Sequence, residues 1–153
     1  MTVHPTASRP SLAQAYREHR SPLVRLAFLL TGSREHAEDV VQTVFASVHD
    51  RWDAVEQPLP YLRRAVVYTS ADLVRRAGRE VTAPVPEQTT HMPELDDTWR
   101  LILALPHRRR TVVVLHYYED LALVDIAALL GVPAATVRSD LRRALISLRK
   151  ELS

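Results

Sequence analysis

Thr136, Arg138, Ser139, Arg142 and Arg143 are spaced so that a single helix near the C-terminus presents them opposite or beside one apolar stripe. Arginine donates two parallel hydrogen bonds to guanine edges and also binds phosphate, and hydroxyls pair with either. The chemistry this pattern offers is recognition of duplex nucleic acid. A second cluster, Tyr61, Arg63, Arg64, Tyr68, Arg75 and Arg76, interleaves aromatic rings with cations along another helical stretch. Rings stack on unpaired bases while arginines follow a phosphate backbone, a combination suited to single strands. The same spacing equally serves the edge of an amphipathic helix packed on a core. A third face, Glu38, Asp39, Gln42, Thr43 and Asp50, is polar and mostly acidic, and either water or a basic partner helix satisfies it.

Covalent chemistry has no visible carrier. The seven histidines form no HxxxH or HExxH pair, and the chain has no cysteine, so no thiolate metal site, disulfide or cysteine nucleophile is available. Neither a glycine-rich phosphate loop nor a serine-centred nucleophile motif occurs. We therefore expect no metal, no cofactor and no enzymatic activity.

The elements that must hold these clusters are helices. Residues 121–152, LALVDIAALLGVPAATVRSDLRRALISLRKEL, read as a helix, a tight turn and a longer helix. Leu123, Ile126, Ala127 and Leu130 share a face, and Gly131 follows where a residue free to adopt positive φ is wanted. Ala127, Gly131 and Val137 have the spacing at which a helix-turn-helix packs a small residue, a turn glycine and a branched residue together. In the second helix Val137, Leu141, Ala144, Leu145, Leu148 and Leu152 make the apolar stripe, with Ser139, Arg142, Arg143 and Lys150 opposite and Thr136 and Arg138 on its flanks. Pro133 and Ala134 stand where a capping side chain would be preferred, although proline is acceptable in a first turn.

Upstream, periodicity predicts two helical pieces between Leu12 and Leu30, with Pro22 starting the second. Thr31-Gly32-Ser33 ends that region and caps a helix from Ser33 to about Trp52, whose stripe is Ala37, Val40, Val41, Val44, Phe45, Val48 and Trp52. A third helix runs from Tyr61 to about Ala77, with Leu62, Val66, Leu73 and Ala77 inward. Two short helices, about 95–105 and 107–118, precede the helix-turn-helix. Between the halves, 78–94 holds three prolines and no apolar periodicity, so it reads as a flexible linker. The expected architecture is all-α: a disordered start at 1–10, a helical domain at 11–77, the linker, and a four-helix module at 95–153. Each half is small, so each core should be marginal and depend on partners.

Composition agrees. With 46% hydrophobic and 25% charged residues the chain resembles an ordinary soluble protein. Its first ten residues lack a signal-peptide core, and no stretch is long and apolar enough to span a membrane, so a cytoplasmic location without a membrane partner is expected. Net charge is only +2, and acids nearly match cations, so non-specific DNA affinity should be modest.

Two stretches carry a family resemblance. AEDVVQTVF at 37–45 and LPHRRRTVVVLHYYEDLALVDIAALLGVPAATVRSDLRRALISLRKEL at 105–152 resemble the second and fourth conserved domains of bacterial sigma factors of the extracytoplasmic-function group. The resemblance spans about Leu12 to Leu152. It implies that Glu38, Asp39, Gln42 and Thr43 contact the β′ clamp helices of core RNA polymerase. It implies that YLRRAVVYTSADLVRR opens and reads the minus-10 promoter element through Tyr61, Arg64, Tyr68, Asp72, Arg75 and Arg76. By the same likeness Thr136, Arg138, Ser139, Arg142 and Arg143 read the minus-35 element, and an anti-sigma protein is a further partner. Four positions depart from the family, the mildest being Asp125, the acid before Ile126 and Ala127. Tyr61 stands where tryptophan is frequent, and Tyr68 replaces an asparagine, exchanging an amide that pairs with base edges for a ring with one hydroxyl. Asp140 occupies a commonly basic position on the flank of the recognition helix, where it would repel phosphate or accept from a cytosine amine.

The implied function is promoter-specific transcription initiation as an alternative sigma factor. Two rivals remain at this level: a stand-alone helix-turn-helix regulator, which leaves AEDVVQTVF unused, and a sigma-like adaptor that binds polymerase or an anti-sigma protein without opening DNA.

Overall fold

The computed structural model describes residues 9–79 and 98–152, and the described residues are helical with no strand among them. Most of the linker expected at 78–94 lies outside that range. Its first two residues, Gly78 and Arg79, are instead the last turn of a helix.

Helix α1 (Leu12–Thr31) is the element against which both halves pack. Ser11 and Gln14 form a reciprocal capping box at its start, and Gly32 ends it in the left-handed conformation with φ 78°. The break expected at Pro22 is absent: α1 is continuous, with the proline inside it and exposed. An interior proline costs ~3 kcal/mol, and that cost is offset because Leu23, Val24 and every residue from Leu26 to Leu30 are buried. Ser33 accepts from the His36 backbone N–H to cap α2 (Arg34–Val48). The helix predicted to reach Trp52 stops earlier and tightens into a 3-10 turn (His49–Ala54) that still buries Trp52. The indole donates to the Pro10 carbonyl at 3.0 Å, and Arg9 donates to the carbonyls of Trp52, Asp53 and Val55. Residues 9 and 10, expected to be disordered, are thus held by the turn, Arg9 through the turn's carbonyls and Pro10 through the Trp52 indole. Residues 1–8 lie outside the described range.

Helix α3 (Pro58–Arg79) starts three residues before the sequence expectation, with both prolines in its first turn, where a missing N–H costs nothing. Leu62 and Val66 are buried as predicted, but Ala77 is exposed because the helix outruns the elements beneath it.

The C-terminal half comprises α4 (Thr98–Leu103), α5 (His107–Val113) continuing into a π turn (Val114–Tyr118), α6 (Leu123–Leu130) and α7 (Ala134–Leu152). Its core does not stand alone. Phe28 of α1 meets Trp99 of α4 with ring centroids 5.3 Å apart, and Leu103 packs over Gly32, where an added Cβ would come within 3.3 Å. Arg110 donates to the Leu30 carbonyl at 2.6 Å and the Leu105 carbonyl at 3.1 Å. Since α1 has no basic residue in its last turn, this guanidinium from the other half supplies the cation that a helix C-terminus favours. The two marginal cores become one continuous core.

Candidate nucleic-acid interface

Gly131 adopts φ 68° and donates to the Ala127 carbonyl, ending α6 as a helix-turn-helix requires. Pro133 accepts from the N–H groups of Thr136 and Val137, so its backbone opens α7 without a side-chain cap. Val137 and Ala144 are buried with Leu141 and Leu148 beside them, which turns Arg138, Ser139, Arg142 and Arg143 outward; Thr136 is half-buried at their edge. Arg138, Arg142 and Arg149 rim a shallow groove floored by Leu141, Leu145 and Ile146. Two sequence expectations fail here. Leu152, placed in the stripe, is 67% exposed because α7 extends past its support.

The larger correction is Asp140, which the sequence placed at the DNA flank. Its side chain is buried, with the residue 3% exposed. Arg108 of α5 holds it: Nη2 donates to Oδ1 at 3.2 Å, and Nε lies 2.7 Å from Oδ2, close enough for an ion pair but not aligned as a hydrogen bond. The carboxylate fixes how α7 is rotated on α5, rather than facing a phosphate.

On α3, Arg64 lies over the Tyr68 ring, 5.4 Å from its centroid, and both are exposed, while Tyr61 is half-buried against the core. Asp72 pairs with Arg75 at 2.6 Å and Arg76 at 3.1 Å, which partly neutralises that end of the cationic stripe. Across a cleft from Tyr68, Asp72 and Arg76 stand His36, Asp39 and Thr43 of α2. Asp39, Gln42 and Thr43 are exposed; Glu38 is set apart from them, lying 3.6 Å from both Arg20 and Arg34.

The family model of sigma-70 region 2 matches residues 15–80, and that of sigma-70 region 4 matches residues 95–148. The chain belongs to the sigma-70 family, in its extracytoplasmic-function group. The RNA polymerase sigma-E factor of Streptomyces coelicolor is 32% identical over 148 residues, covering 89% of this chain and 82% of that relative. The extracytoplasmic-function RNA polymerase sigma factor SigM of Mycobacterium tuberculosis is 31% identical, covering 99% and 82%. Among solved structures, the sigma factor RpoE in complex with the anti-sigma factor NepR from Bartonella quintana superposes with a TM-score of 0.72 at 21% identity, covering 92% of this chain and 95% of that one. CnrH in complex with the cytosolic domain of CnrY gives 0.66 at 24%, covering 92% and 86%. These two show the same fold. The chain is thus an alternative sigma factor, whose partners are core RNA polymerase and promoter DNA. A stand-alone regulator would leave the region 2 match without a purpose.

Several residues that organise this sigma factor were not singled out by sequence reasoning. Arg108 and Arg110 belong to a run, HRRR, that looks like a DNA contact; both instead serve internal acceptors. Glu119, 3.6 Å from Arg63, was equally silent. Burial raises its pKa, against the opposing pull of Arg63 and Arg25. His107, at the start of α5, behaves in the opposite sense: burial, with Arg110 nearby, lowers its pKa to about 4, and its Nδ1 has no partner.

A pH dependence follows from His107. Its folded pKa lies below the ordinary 6.5, so the unfolded chain takes up a proton first. Its contribution is complete well above pH 6.5 and is lost as the pH falls towards 4. Glu119, with a raised pKa, partly opposes this loss. Urea midpoints measured between pH 7 and 4.5 should fall for the wild type and fall less steeply for His107→Asn. Parallel curves for the two proteins would mean that the histidine is charged in the folded state.

Proposed function

We propose that the polar face of α2 around Asp39, Gln42 and Thr43 docks on the β′ clamp helices of core RNA polymerase, with Glu38 bracing α2 from the side. In this reading the α3 stripe of Tyr61, Arg64, Tyr68, Asp72, Arg75 and Arg76 opens and reads the minus-10 element. The outward residues of α7, Thr136, Arg138, Ser139, Arg142 and Arg143, read the minus-35 element. The observation that carries it is the exposed Arg138-Ser139-Arg142-Arg143 face behind a left-handed glycine turn, within a stretch that matches the region 4 model. The protein works in the cytoplasm, where polymerase is, and catalyses nothing itself. No helix among the described residues is long and apolar enough to cross a membrane. An anti-sigma protein is a further partner in this reading, by analogy with the RpoE complex.

Each binding module is weak alone, and tethering raises the effective concentration of the second once the first has bound. In vitro transcription with core polymerase tests the whole reading. Within it the two outward arginines separate. Arg142, near the centre of the face, is assigned a base contact, so Arg142→Ala should cost ~1–3 kcal/mol on the preferred minus-35 duplex and relax preference at one or two positions. Arg138→Ala, at a phosphate, should weaken all sequences alike and lower the salt slope by about one. Binding titrations with matched and mutated duplexes at several salt concentrations measure both. If neither variant changes affinity or preference, that face is merely solvated.

A further inference from the structure

The promoter-facing stripe of α3 is not free in this structure. The Tyr68 hydroxyl donates to the carbonyl of Leu129, 2.9 Å away and 61 residues along the chain. Leu129 lies in the last turn of α6, where carbonyls have no intrahelical donor. The Gly131 and Val132 N–H groups both go to Ala127, so the tyrosine supplies a donor that the turn itself does not. A Cβ on Gly131 would sit 4.0 Å from the same hydroxyl, so the ring end rests directly on the helix-turn-helix. The contact continues along α3. Arg63, Val67 and Ala71 follow one another at four-residue steps, hence on one face. Arg63 pairs with Glu119, and Val67 and Ala71 line a small cavity with Tyr68, His107, Thr111 and Leu130.

We infer that in the free chain the C-terminal end of α6 occupies the minus-10 stripe, and that Tyr68 makes this docking and promoter engagement mutually exclusive. The inference rests on the assignment of α3 to the minus-10 element proposed above. Geometry makes the exclusion strict. Elements centred near positions −10 and −35 are about 25 base pairs apart, roughly 85 Å at ~3.4 Å per base pair. In this structure the helix-turn-helix touches α3, and the nineteen residues of α7 span only about 28 Å at ~1.5 Å each. The docked chain cannot lie on both elements, so α3 must part from α6 before the second is reached. Parting frees the Tyr68 hydroxyl and the Arg63 guanidinium together, next to Arg64 and Tyr61. At the position where the family has asparagine, this chain carries a side chain long enough to serve as a latch.

The full chain lacks cysteine, so Ala46→Cys and Glu151→Cys, both exposed and on α2 and α7, provide a labelling pair for energy transfer. The free protein should show a dominant high-transfer population. Tyr68→Phe keeps the stacking ring and deletes only the hydroxyl, and it should move the closed-to-open ratio about three- to tenfold towards open, the effect of one net hydrogen bond. Helical circular dichroism should stay unchanged. An unshifted transfer distribution in Tyr68→Phe overturns the latch, whatever α3 does on DNA. Persistence of the high-transfer population in wild-type holoenzyme bound to promoter overturns the exclusion. The underlying assignment fails separately: if Tyr61→Ala leaves permanganate reactivity of the promoter bubble intact, α3 does not act at minus-10 and docking there excludes nothing.

Discussion

Arg108→Ala should lower unfolding stability by about 2–3 kcal/mol. Deleting one member of a fully buried ion pair costs ~3–5 kcal/mol, because the partner charge is left without compensation. Asp140 is 3% exposed, but the Arg108 side chain is 60% exposed, so water already screens part of the attraction and the lower figure applies. Asp140→Asn keeps the shape and should cost less than Arg108→Ala. The double variant Arg108→Ala with Asp140→Leu should recover most of the loss, since a buried apolar side chain needs no counter-ion. Urea midpoints followed by helical circular dichroism measure all three. A midpoint for Arg108→Ala within error of wild type would mean that Asp140 finds water or another donor, and that the pair does not set the rotation of α7. Because that rotation aims Arg138 and Arg142, variants here should also blur minus-35 preference without touching DNA.

Asp39→Arg is expected to weaken binding to core polymerase by at least tenfold with helical content intact. The side chain is exposed on α2 at the mouth of the cleft shared with α3, so a cation there costs the fold little. Against a basic surface the same cation meets like charge, which at an interface costs several kcal/mol; tenfold needs only about 1.4 kcal/mol. Glu38→Arg provides the contrast. Glu38 already bridges Arg20 of α1 and Arg34 of α2, so its reversal should reduce thermal stability as well as binding. Competition for core polymerase against unlabelled wild type reads both. Equal competition by Asp39→Arg would remove α2 as the docking face.

Much of the fold was legible because it is local. The stripe from Ala37 to Val48, the cap at Ser33, and the glycine turns at 32 and 131 each depend on side chains within a turn or two of one another. All of these occur where periodicity placed them. Pro22 was misread because a local rule predicted a helix start, whereas burial of the residues that follow it outweighs the lost hydrogen bond. Ala77 and Leu152 were misread because periodicity continues past the point where a neighbouring helix still covers the stripe.

The sequence by itself determined which residues are helical, which face of each helix is apolar, and that arginine and hydroxyl groups gather opposite the stripe of α7. Only the tertiary structure decided which charged groups remain for a partner. Arg108, Arg109 and Arg110 are adjacent and chemically alike, yet Arg108 meets a carboxylate 32 residues away and Arg110 a carbonyl 80 residues away. Asp140 looks in sequence like any flank residue of a recognition helix, and Tyr68 like any aromatic on an amphipathic edge, until α5 and α6 are packed against them. The reason is physical: helix periodicity is set by neighbours three and four residues apart, whereas desolvation and pairing of a charge depend on whatever distant element docks over it.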